Sequence, residues 1–237
     1  CGSSSMNFDA FDCLTFDCYG TLIDWESGIL DALQPILAGH GLTVKDEEVL
    51  TIFGELESAV EAKTYRLYRK VLAEVVDDMG ETLGFNPSAE ERDSLAESIR
   101  EWPTFADTVD ALEALKGSYR LAVISNIDDD LFGQSAQKLG VKFDEVVTAQ
   151  QVRSYKPSSV NFSTAFQRLG HGPDGILHVA QSLYHDIGPA RELGLACVWV
   201  NRRAGKMGPG ATTTTRGVEP DLEVANLKAL TMLMGLS

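Results

Sequence analysis

Two rhythms alternate along the chain. Short apolar runs, rich in β-branched and aromatic residues, occupy positions 14–16, 121–125, 145–148, 176–180 and 196–200. Runs without a polar alternate face read as strands covered on both sides, which a parallel sheet requires. Between them apolar residues recur at helical spacing, predicting helices over 107–116, 131–139, 158–169 and 188–193. Strand and helix in alternation predict an α/β fold, a Rossmann-like doubly wound parallel sheet. Residues 204–217, with four consecutive threonines, read as a loop, and 222–236 as a closing helix.

One block breaks the alternation. Residues 24–103 carry helical periodicity and no strand signal. A helix is expected over 24–39, with Ile29, Leu30, Leu33 and Leu37 on one side. A second is expected over 43–81, opened by Thr43 and Asp46 in a capping-box-like spacing. Its stripe runs through Ile52, Phe53, Leu56, Ala59 and Val60, and continues in Tyr65, Tyr68 and Leu72. Pro87 and Ser88 restart a helix through Ile99, and Trp102-Pro103 ends it. The expected division is a catalytic core of residues 6–23 and 104–237, interrupted by an all-helical cap of residues 24–103.

Composition narrows the partners. The chain has 237 residues, 44% hydrophobic, with a formal net charge of −15. That length supports one sizeable core plus a small accessory unit. Strong acidity argues against nucleic acid and anionic membranes, and requires local cations wherever an anionic substrate binds. No apolar run approaches the ~18 residues of a membrane span. Cys1 to Ser5 is polar and small, and reads as an added leader with Met6 as the native start. Cys1, Cys13, Cys18 and Cys197 lack metal or CxxC spacing, so inert thiols in a reducing, cytoplasmic compartment are expected. A homodimer is compatible with this reading.

Candidate chemistry sits where predicted strands end. The first strand leads into Asp17, with Tyr19 and Thr21 just beyond. The second ends at Ser125 and Asn126. Lys156 precedes the helix after the third, and the fourth gives way to Gln181, Ser182 and Asp186. In open parallel sheets the carboxyl ends of strands converge on the ligand crevice. The set is chemically coherent. A carboxylate nucleophile must be held and oriented, and a neighbouring lysine keeps it ionised. Hydroxyl and amide donors bind an oxyanion. A second carboxylate can orient the lysine, position a water or hold a metal.

These residues carry a resemblance. Asp17-Cys18-Tyr19-Gly20-Thr21-Leu22, Ser125-Asn126, Lys156-Pro157, and Ser182 to Asp186 followed by Gly188-Pro189-Ala190 are similar, in that order, to the motifs of the haloacid dehalogenase superfamily. The resemblance implies a Rossmann-like core, a mobile helical cap and Asp17 as covalent nucleophile. Phosphatases of that superfamily carry a second aspartate two residues after the nucleophile. Here Tyr19 stands there, and a phenol with an unperturbed pKa of about 10 is a poor base near neutrality. They also carry Gly-Asp where this chain has Ala180-Gln181.

Tyr19 instead resembles the L-2-haloacid dehalogenase branch, which implies metal-free chemistry on a small anionic substrate. Asp17 attacks the α-carbon, halide leaves, and water hydrolyses the aspartyl ester. In that scheme Lys156 orients Asp17, while Asp186 holds Lys156 and the water. Tyr19, Thr21, Ser125, Asn126 and Ser182 bind substrate or support Asp17. The chain departs from that branch in having no arginine around Phe53 to Glu57, in Phe162, and in Gln181 and Leu183. Arg66 and Arg69 are the candidate replacements, although such residues are more often solvated surface charges. Tyr184 and His185 are further candidates to face the site, though a histidine there is more often a packing residue. No cofactor is expected on this reading. The alternatives are a magnesium-dependent phosphatase of a small metabolite, its ion held by Asp17, the Tyr19 carbonyl and Asp186, and a non-catalytic binding descendant.

Overall fold

Strands with apolar residues on both sides must have both faces covered, and the chain does this with helices. The computed structural model describes residues 5–236. The reading of Cys1 to Ser5 as a leader falls on residues 1–4, outside that range, and on Ser5 alone within it. Six strands form one sheet: β1 (Cys13–Phe16), β2 (Arg120–Ser125), β3 (Glu145–Thr148), β4 (Ile176–Ala180), β5 (Ala196–Val200) and β6 (Leu222–Val224). Their order is β3-β2-β1-β4-β5-β6, and every pairing is parallel.

Between β1 and β2 lie four α-helices and no strand: α1 (Trp25–Gly39), α2 (Asp46–Glu61), α3 (Tyr68–Leu83) and α4 (Ala89–Ser98). The rest alternates with the sheet: α5 (Thr108–Lys116), α6 (Asp129–Ala136), α7 (Ala149–Val152), α8 (Ser159–Leu169), α9 (Gly188–Glu192) and α10 (Leu227–Leu233). Period-2 alternation sorts the strand side chains into two layers. Leu14, Phe16, Val123 and Val179 join Leu112 and Leu115 of α5, while Cys13, Ala122, Ile124 and Ile176 meet Phe162 and Ala165 of α8. Among the described residues, no helix is long and apolar enough to cross a membrane.

Two expectations change. The span 43–81 is two helices, α2 and α3. Thr43 does not cap the first, whose N-cap is Lys45 with no side-chain bond. The second begins at Tyr68 because Asp128, distant in sequence, accepts from the N–H groups of Tyr68 at 2.7 Å and Arg69 at 3.1 Å. A cap supplied from elsewhere in the chain leaves no local signature. The closing helix of 222–236 shortens to α10, capped by the Asn226 side chain, because residues 222–224 pair with β5 instead. Asp221 helps to seat that strand by accepting from the Cys197 N–H at 2.8 Å.

The strand order fixes where a site can lie. From central β1 the chain goes to β2 on one side and later to β4 on the other. The crevice at such a switch point opens at the carboxyl ends of those strands, where Asp17, Ser125 and Gln181 stand.

Candidate active site

Lys156 is the centre of the floor. Its Nζ donates to Asp17 Oδ1 at 3.0 Å, Asp186 Oδ1 at 2.7 Å and the Ile124 carbonyl at 2.7 Å. All three charged side chains are buried. A lone buried ammonium is costly, and two carboxylates with a carbonyl compensate it. Burial alone would lower the Lys156 pKa, but Asp17 and Asp186 more than offset it and hold the group above its ordinary value. Burial raises the Asp17 carboxyl, opposed by Lys156 and reinforced by Asp186. Burial also pushes Asp186 upward, yet Lys156 and a His178 hydrogen bond bring it below the ordinary carboxylate value.

The sequence reading missed His178. Its Nε2 lies 2.9 Å from Asp186 Oδ1, and its Nδ1 lies 2.7 Å from Thr15 Oγ1. The carboxylate only accepts, so Nε2–H donates to it, and Nδ1 is left to hydrogen-bond the Thr15 hydroxyl. Thr15 and His178 are direct partners across β1 and β4. The available signal was one imidazole inside an otherwise apolar strand.

Thr21 stands behind Asp17. Its hydroxyl donates to Asp17 Oδ2 at 2.8 Å and accepts the Gln181 N–H at 2.9 Å. It therefore orients the carboxylate and joins the turn after β1 to the turn after β4. Gly20 makes that turn at φ +93°, and a Cβ there would meet Gln181 Oε1 and Trp25 Nε1, each at 2.9 Å. Asn126 braces Lys156, accepting its N–H at 2.8 Å and donating to its carbonyl at 3.1 Å. Ser125 is buried and its Oγ has no partner. The Ser182 hydroxyl accepts the His185 N–H at 2.9 Å and lies 2.9 Å from that ring's Nδ1. Burial lowers the His185 imidazole to about 4, so the ring is neutral.

Tyr19 lines the cavity, but its hydroxyl is engaged by Ser135. The hydroxyl lies 2.8 Å from Ser135 Oγ, and the ring meets Trp102 edge-on at 5.8 Å. Burial raises that phenol well above its ordinary value. Cys18 is fully buried and its thiol is likewise raised, which leaves it inert.

The helices between β1 and β2 supply the opposite wall, and here the sequence reading missed most. A cavity of about 40 Å³ is lined by Asp17, Lys156 and Asp186 on one side, and by Glu57, Glu61 and Tyr68 on the other. Glu57 accepts from the Tyr68 hydroxyl, and Glu61 accepts from Asn126 Nδ2 at 3.1 Å. Burial pushes the Glu57 carboxyl up to about 7, against the pull of Tyr68. Burial, reinforced by Glu57, raises Glu61 well above its ordinary value. The signal was Glu57 standing four residues after Phe53, in phase with a buried stripe. Trp25 and Thr212 complete the lining, and Thr212 Oγ1 donates to Gln181 Oε1 at 2.8 Å.

The arginine candidates do not reach the cavity. Arg66 pairs with Glu74, and Arg69 pairs with Asp128 and Asp130. Of the histidine and tyrosine suggested beside them, His185 lines the cavity, while Tyr184 packs edge-on against its ring at 4.9 Å. A magnesium ion on Asp17, the Tyr19 carbonyl and Asp186 fits this arrangement poorly. Lys156 already bridges the two carboxylates, and Gln181 brings a neutral amide engaged with Thr212.

A doubly wound parallel sheet with a carboxylate–lysine–carboxylate cluster at its switch point defines a Rossmann-like α/β class. Within that class, a family model for haloacid dehalogenase-like hydrolases matches residues 11–194, and the chain belongs to that family. The (S)-2-haloacid dehalogenase of Pseudomonas sp. (strain YL) is 26% identical over 226 residues, 93% of each chain. Pyrophosphatase PpaX of Bacillus velezensis is 28% identical over 236 residues, 94% of this chain and 96% of that one. The L-2-haloacid dehalogenase of Xanthobacter autotrophicus with chloropropionic acid covalently bound superimposes with a TM-score of 0.79 at 21% identity, covering 95% of this chain and 98% of that one.

Proposed function

We propose that this hydrolase acts as a 2-haloacid dehalogenase does, with Asp17 attacking carbon and the resulting aspartyl ester hydrolysed by water. One observation carries the reading. Asp17 is held by Lys156 and Thr21 on the cavity wall, while the residue two places on is a tyrosine tied to Ser135. That position therefore offers no acid for an alkoxide leaving group, and halide, a stable anion, needs none. The raised Asp17 carboxyl is a more basic carboxylate once ionised, which favours attack. The Xanthobacter relative with chloropropionic acid covalently bound supports an ester route here.

In this scheme Asp17 Oδ2 is the attacking oxygen, because Oδ1 is committed to Lys156 and a hydroxyl bond to Oδ2 is more easily released. Lys156 holds the carboxylate plane and offsets charge on Asp17 when the ester is cleaved. Asp186, anchored by His178, keeps its Oδ2 free of protein partners and suited to orient the hydrolytic water. A substrate carboxylate meets Ser125 and the protonated forms of Glu57 and Glu61, which donate hydrogen bonds while neutral. The cavity of about 40 Å³ holds at most a few waters. Substrate access therefore requires the helical wall to lift, which is the role proposed for residues 24–103 as a cap.

Single-turnover hydrolysis of L-2-chloropropionate in ¹⁸O water tests the scheme by mass spectrometry. The expected result is halide release with label incorporated into Asp17. Phosphate ester hydrolysis that depends on Mg²⁺, with no halide released across short 2-haloacids, overturns it.

A further inference from the structure

We propose that Glu57, Glu61 and His185 form a divalent metal site that clasps the helical insert to the core. One ligand atom from each lies within 4.8 Å of the other two. Glu57 and Glu61 are four residues apart on α2, which puts both carboxyls on one face. His185 comes from the opposite side, in the turn after β4. Ser182 Oγ lies 2.9 Å from His185 Nδ1, and with Nδ1–H as the donor Nε2 is the nitrogen left to ligate.

The rest of the cavity points the same way. Asp186 Oδ2 and Ser125 Oγ, both on its wall, are fully buried and unpartnered. Four carboxyls line the space, and Lys156 is the one lysine or arginine among the described lining residues. Its ammonium is already shared by Asp17 and Asp186 and bonds neither acid on α2. A volume of about 40 Å³ admits a compact ion and excludes most organic cations.

Two carboxylates with an imidazole select a first-row metal over Mg²⁺ or Ca²⁺. Three protein ligands leave a fourth tetrahedral position open toward the cavity. Bonds of ~2.1 Å need the ligand atoms at about 3.4 Å separation, so binding requires the Glu57 and Glu61 carboxyls to draw in toward His185. The site shares no ligand with the Asp17–Tyr19–Asp186 set, and because it uses the Glu57 and Glu61 carboxyls the metal and a substrate carboxylate are alternative occupants of the cavity.

The test uses the full chain stripped with a chelator and titrated with ZnCl₂ by calorimetry. One Zn²⁺ per chain is expected, with a rise in thermal midpoint. The E57Q/E61Q double variant and H185Q should each weaken binding at least about tenfold, while D17N keeps the site. Affinity that survives those changes but collapses in D17N overturns the proposal, as does the lack of saturable binding. Anomalous scattering from zinc-soaked wild-type crystals needs no variant. A peak between Glu57, Glu61 and His185 supports the site, and a peak only elsewhere rejects it.

Discussion

On the core side of the cavity, one ammonium lies between two carboxylates, and each partner is fixed by further hydrogen bonds. On the α2 side, two carboxyls face inward with a phenol and an amide for company. The floor is closed electrostatically, so its lysine has no charge to lend a substrate. The roof carries acids whose state depends on burial. The difference divides the proposed work: the floor holds the carboxylate assigned as nucleophile, and the roof presents acids whose charge follows pH.

The most severe break removes the proposed nucleophile. Asp17→Asn should cut halide release by at least about 10⁴-fold, read as kcat/KM on L-2-chloropropionate, with the circular dichroism spectrum unchanged. Opening the floor comes next. Lys156→Met leaves Asp17 and Asp186 buried without their cation, and should cost about 3–5 kcal/mol in urea unfolding. Glu61→Gln, on the roof, should leave stability equal or higher, because no cation depends on it.

The roof is sharpened by pH. The Glu57 carboxyl rises from 4.5 to about 7 in the folded state. The folded protein therefore binds more protons than the unfolded chain between those values, and stability falls as pH rises through that window. The stabilisation is complete below about 4.5 and lost above about 7, a span on the order of 3 kcal/mol. Glu57→Gln should flatten that slope in thermal melts. In chelator-treated enzyme, KM for a haloacid should climb above pH 7 as the roof becomes anionic, and the variant should abolish the climb. The smallest effect belongs to Tyr19→Phe, which breaks one hydrogen bond to Ser135. It should cost about 1 kcal/mol and leave kcat within a few-fold.

What could be read without coordinates follows from range. The apolar strand runs and the residues ending them are local, so Asp17, Ser125, Lys156 and Asp186 stood out, and the structure brings all four to one cavity. Tyr19 also stood out, but its hydroxyl proves to serve Ser135. Thr21 and Asn126 were legible as site residues, yet they position Asp17 and Lys156. Strand β6 was not legible, since three residues on a sheet edge carry too short an alternation to outweigh a helical pattern beside them.

The amino-acid order alone determined the alternating α/β architecture, the helical block after the first strand and the carboxylate–lysine–carboxylate set, because each rests on short-range periodicity or on residues next to a strand end. Tertiary structure decided the rest. Asp128 starting α3, His178 steadying Asp186, and Glu57 and Glu61 turning toward Asp17 all join residues distant in sequence. Helical periodicity says that a face is buried; only packing says whether it is buried against oil or against a carboxylate–lysine cluster.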